Sequence, residues 1–173
     1  VKLEGNPFPL RLSEPLKKNL QYLAPELSVP MRVVLSNLWL FEPLVVRILD
    51  QDPSTSAMVR TTTAITMVRA GVKDNVLPSL ADAVVNFRIL PGDTAEFVKQ
   101  RVEELIDDDR LTINFLDAFY SNPSEISDHT AYGFNLIEKT IVKVFNDSDR
   151  SVLTTPYMLM GGTDGRHYER IAE

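Results

Sequence analysis

Two stretches of period-two sequence separated by a turn constrain this chain more than anything else in it. Residues 61–70 carry Ile65 and Met67 alternating with Thr66 and Val68. Residues 81–90 place Ala83, Val85, Phe87 and Ile89 on one side and Asp82, Asn86 and Arg88 on the other. Between them, Asp74-Asn75-Val76-Leu77-Pro78 reads as a turn. The pair predicts adjacent strands of one sheet, with a core face and a wet or functional face.

Elements around this pair extend it to an α+β fold. Pro91-Gly92-Asp93 turns the chain, and Asp93 with Glu96 forms a variant capping box for a helix bearing Phe97, Val98, Val102, Leu105 and Ile106. Asp107-Asp108-Asp109 then reads as a solvated turn, and Leu111, Ile113 and Phe115 alternate in a third strand. Strand, strand, helix, strand is most of a sandwich in which helices cover one face of an antiparallel sheet.

The flanks are different in character. Ser13-Glu14-Pro15 opens a helix that Pro25 ends, and Ser28-Val29-Pro30 opens a second, strongly apolar run from Met31 to Asp50 that Pro43 is expected to kink or divide. Arg32, Glu42 and Arg47 interrupt that run short of the roughly 20 apolar residues a membrane span needs. It reads either as a hairpin packed on its neighbours or as the cover of a cleft for an apolar acyl chain or aromatic side chain. After a linker at Tyr120–Ser127, Phe134, Ile137, Ile141, Val144 and Phe145 mark an amphipathic helix, and Ser151–Met160 reads as a strand running into Gly161-Gly162-Thr163. The expected organisation is a helical segment over 1–58, a central α+β domain over 59–119, and a linker with an α/β fragment over 120–173.

Composition excludes several chemistries. A net charge of −6 without a Lys/Arg cluster argues against a nucleic-acid partner. The absence of cysteine removes thiolate metal sites and Cys nucleophiles. The two histidines, His129 and His167, lie in no HxD or HExxH pattern, and no Gly-x-Ser-x-Gly or phosphate-loop motif is present. Catalytic and metal-binding residues are therefore expected to be absent from this chain.

Candidates for binding remain. Asn75 is a turn residue that tolerates the left-handed region or, equally, an amide for a carbonyl oxygen. Arg88 is a cross-strand ion-pair partner or a planar fork of donors for a carboxylate. Backbone N–H groups of Gly161, Gly162 and Thr163 suit an anion.

The residues Arg60–Gly71, Asp74–Pro78, Asn86–Asp93 and Gly161–Tyr168 resemble the lid (dimerisation) domain, and the return to the catalytic domain, of the two-zinc aminoacylase/carboxypeptidase family (peptidase family M20). Asn37-Leu38-Trp39-Leu40-Phe41 and Val59-Arg60-Thr61-Thr62-Thr63 resemble its carboxypeptidase S and N-acyl amino acid hydrolase branch. The resemblance implies a ferredoxin-like lid whose first strand lies upstream of Val1, homodimerising through that lid. It implies that Asn75, Arg88, Gly161, Gly162 and Thr163, with Arg166 as a further candidate, bind a small N-acyl amino acid or peptide. It also implies two zinc ions in the parent enzyme, none of them bound by this chain. The rival expectation is a non-enzymatic homodimerisation module.

Overall fold

The computed structural model describes residues 2–116, 121–147, 151–168 and 171, apart from the side chain of Arg166. In chain order the helices and strands are α1 (Lys2–Gly5), α2 (Glu14–Leu23), α3 (Val29–Ser36), α4 (Leu38–Leu49), α5 (Pro53–Ser56), β1 (Thr62–Ala70), β2 (Ala81–Arg88), α6 (Ala95–Ile106) and α7 (Tyr132–Phe145). Short 3-10 turns occupy Ala24–Glu26 and Asp164–His167. The mixture is α+β, as the sequence predicts. The chain divides into two compact units, one of Val1–Pro9 with Arg60–Pro123 and the other of Leu10–Val59 with Ser124–Glu173.

In the first unit β1 and β2 pair antiparallel, from Thr62 opposite Arg88 to Ala70 opposite Ala81. Ile65 faces Val85 but Met67 faces Val84, so Thr66 is an extra residue in β1. Its hydroxyl donates to the Val84 carbonyl at 3.3 Å. A one-residue bulge exchanges the faces of everything beyond it. Ile65 therefore lies on the face of Val85 and Phe87, while Met67 joins Val84, Asn86 and Arg88, which corrects the expectation that Ile65 and Met67 share a side.

Phe8 is the wedge of this unit. Only 4% exposed, its ring meets Phe87 edge-on at 6.1 Å and Phe97 of α6 at 6.2 Å, and the Arg101 guanidinium lies 5.0 Å from its centroid. Burying such a ring contributes about 1.5–3 kcal/mol, and each edge-on pair adds roughly 0.5–1.5 kcal/mol. Ala95, Val98 and Val102 supply the buried stripe of α6 at helical spacing. The N-cap of α6 is Thr94, which accepts from Phe97 N, rather than Asp93. Asp93 is engaged elsewhere, by the buried Thr61.

Leu111, Ile113 and Phe115 do not form the expected third strand; among the described residues the sheet has two strands. Alternation supplies a face but not a partner, and an extended segment without a neighbouring strand has no ladder to join.

The second unit is built on Leu12, Leu16, Ala24, Leu35, Leu38, Val45, Val46 and Val59. The apolar run bends by 111° between α3 and α4, at Asn37, where the backbone leaves helical conformation. Asn37 donates its side-chain amide to the Val33 carbonyl at 2.8 Å, meeting one acceptor at the end of α3. Pro43 sits inside α4 without dividing it, and the division of the apolar run falls instead at Asn37. Glu42, beside that proline, accepts from the Leu12 N–H at 3.1 Å and pairs with Lys17 at 3.4 Å, fixing α4 to the start of α2. No single described helix is long and apolar enough to cross a membrane.

Candidate functional site

The polar face of the ribbon carries Arg69 opposite Asp82, Met67 opposite Val84, Ala64 opposite Asn86 and Thr62 opposite Arg88. Asn86 and Arg88 are exposed, two residues apart on one side of β2. Arg88 closes the strand at the base of the ribbon, roughly 23 Å along β2 from Ala81 at about 3.3 Å per residue. Asn75 belongs to the exposed loop that joins the strands at the other end. Its backbone is not left-handed: that conformation falls to Gly71, with φ of +71°, at the exit of β1. The left-handed reading of Asn75 is therefore corrected, since a glycine adopts that region without cost.

Residues 151–160 were expected to form a strand, and none is present there. Pro156 lacks the N–H that a ladder requires. The segment is held instead by α2: Asn19 donates to the Pro156 carbonyl at 2.8 Å and to the Thr155 hydroxyl at 3.2 Å, and the Ser13 hydroxyl meets the Met158 sulfur at 3.4 Å. This stem leads into the exposed turn of Gly161, Gly162 and Thr163.

Neither Gly161 nor Gly162 has a positive φ, and a Cβ built on either meets no atom within 4 Å. Neither strain nor crowding within the described residues calls for glycine at these positions, and the space a side chain would take in this exposed turn is open. Thr163 accepts from Gly165 N at 3.3 Å and starts the 3-10 turn that contains Arg166 and His167. The side chain of Arg166 lies outside what the structure describes. Asn75 and Arg88 belong to the first unit, and the glycine turn to the second.

No group of three or more His, Cys, Asp or Glu residues able to hold a metal ion occurs among the described residues. The His129 ring packs edge-on against Tyr22 at 6.2 Å, and His167 lies in the exposed 3-10 turn. A two-zinc centre does not fit these side chains. The carboxyls of Asp52, Asp108 and Asp128 are each held below the ordinary range, in every case first by a side-chain hydrogen bond from two residues on: Ser54, Arg110 and Thr130 respectively. All three are local turn contacts at solvent-facing groups and mark structure rather than chemistry.

The description "Peptidase dimerisation domain" belongs to a family model that matches residues 16–112. The chain belongs to that family. It is 43% identical over 171 residues to the N-fatty-acyl-amino acid synthase/hydrolase of Mus musculus, covering 98% of this chain and 33% of that protein. The human protein of the same description is 40% identical over 171 residues, covering 98% and 34%. The probable carboxypeptidase S-like 2 of Dictyostelium discoideum is 39% identical over 172 residues, covering 99% and 32%. The resemblance read from the sequence, including its carboxypeptidase S and acyl amino acid branch, is thereby borne out. The chain spans about a third of the length of these relatives. No solved structure matches it significantly.

Proposed function

We propose that these residues are the lid and dimerisation portion of a zinc-dependent hydrolase that cleaves the amide bond of N-acyl amino acids or small peptides. The observation that carries the reading is similarity to N-fatty-acyl-amino acid synthase/hydrolases along 98% of the chain. Residues 59–119 are the lid in this reading, through which two copies associate. Residues 1–58 are the helical segment attached to it, and 120–173 are a linker with part of the catalytic domain. The two zinc ions are held by residues other than those described here.

This chain contributes binding groups. Gly161, Gly162 and Thr163 receive the substrate's carboxylate on backbone N–H groups, helped by the Thr163 hydroxyl and by Arg166. The open space beside Gly161 and Gly162 leaves room for a ligand against the backbone. Asn75 donates its amide to the substrate carbonyl. Arg88 orients the scissile amide and counters the charge that develops on its oxygen during attack.

The test is an assay of the full-length protein that carries these residues, following release of free amino acid from N-acyl amino acids of increasing acyl length. Hydrolysis that a chelator abolishes and added zinc restores is the expected result. A stable dimer that hydrolyses none of them would instead favour a non-enzymatic association module.

A further inference from the structure

We infer that Asn19 is a positioning residue for the glycine turn, acting from α2 through the stem at Thr155–Met158. The inference rests on the reading of that turn as the carboxylate-binding loop.

Asn19 is an unfavourable choice for its place. Asparagine is a poor helix former, and a buried amide is costly unless both its N–H groups are met. Asn19 is 9% exposed, in the second half of α2. Its N–H groups are directed not into its own helix but to the Pro156 carbonyl at 2.8 Å and the Thr155 hydroxyl at 3.2 Å, 137 and 136 residues away respectively. Ser13 behaves alike: it precedes α2 at the N-cap position, makes no side-chain cap, and turns its hydroxyl to the Met158 sulfur.

Tyr22 extends the line, edge-on to Phe134 at 6.5 Å and to His129 at 6.2 Å. Asn19 and Tyr22, three residues apart on α2, thus both turn toward the C-terminal segment, and Ser13 meets it from just before the helix. Pro156 and the neighbouring stem residues have no strand ladder to fix them, so these side chains supply the fixed points. Met158, 7% exposed, is the last buried anchor before Gly161. Loosening the stem leaves the turn's N–H groups in place chemically but spreads them over more positions, which weakens a contact that depends on converging donors.

The experiment compares the full-length protein's kcat/KM for an N-acyl amino acid with that for its carboxamide, which lacks the carboxylate. Asn19→Ala should lower the acid-to-amide ratio by about tenfold, chiefly through KM, with Thr155→Val shifting it less in the same direction. Gly162→Ala, which meets no neighbour in the protein itself, probes the turn directly.

A ratio lowered by Gly162→Ala but untouched by Asn19→Ala and Thr155→Val would overturn the positioning role while keeping the carboxylate site. A ratio unchanged in Gly162→Ala would overturn the reading of the turn. Equal losses on both substrates in the Asn19 and Thr155 variants would reduce Asn19 to a structural residue. If Asn19→Ala does not fold, Thr155→Val decides.

Discussion

The hydroxyl of Thr61 donates to the Asp93 carboxylate at 2.6 Å while its oxygen accepts the Leu90 N–H at 3.0 Å. Thr61 is 1% exposed, immediately before β1, and Leu90 and Asp93 lie just beyond β2. One side chain thus ties the two ends of the ribbon together at its base, next to Thr62 and its partner Arg88.

Replacing Thr61 by valine keeps the shape and removes both bonds. A buried N–H left without a partner costs about 1–3 kcal/mol. Thr61→Val should lower the unfolding free energy by that amount in denaturant titration, whereas Thr61→Ser should recover most of it. A neutral Thr61→Val would show that water replaces the hydroxyl.

Helix α6 ends on Asp107, whose φ of +46° is the one left-handed backbone among the described non-glycine residues. An L side chain is strained there, and a carboxylate at a helix C-terminus opposes the helix dipole. Asp107→Gly relieves both and should stabilise the protein by about 0.5–1 kcal/mol, read as a higher denaturation midpoint at unchanged slope.

Asp108 accepts two bonds from the Arg110 guanidinium, at 2.9 and 2.7 Å, and the Arg110 N–H at 3.1 Å. These hold its carboxyl below the ordinary value of 3.8. Because the folded value is the lower one, the stabilisation is fully present above the ordinary value and is lost as pH falls through the depressed one. Wild-type stability should therefore decline relative to Asp108→Asn as the pH is lowered from about 5 to about 2, while the difference between the two stays constant above about 5. Thermal melts across that range measure it, and parallel curves would exclude the pair.

The ribbon and α6 were legible because their signals are local: alternation at Val85 and Phe87, a glycine turn at Gly92, a helical stripe at Val98 and Val102. The bulge at Thr66 was not, since Ile65 and Met67 are apolar in either register and only the pairing with Val85 and Val84 separates them. The strand expected at 111–115 and that expected at 151–160 failed for a related reason. A strand is a relation between segments, and the pattern of one segment carries no information about its neighbour.

The binding candidates were named from residue types in motifs, and the structure places Gly161, Gly162 and Thr163 in an exposed turn. The role of Asn19 was invisible, because an asparagine among Leu16, Leu20 and Leu23 looks like solvent-facing polarity until its partners at Thr155 and Pro156 are known.

In the proposed reading this chain lends substrate-binding residues to an amide hydrolase, and Arg88 is the side chain set against the scissile amide. In the full-length protein, kcat/KM for N-acyl amino acid hydrolysis should fall by about 10²–10³ in Arg88→Ala, with partial retention in Arg88→Lys, which keeps the charge and loses the planar fork. Catalytic efficiency equal to wild type in a folded, dimeric Arg88→Ala would rule out that role for Arg88.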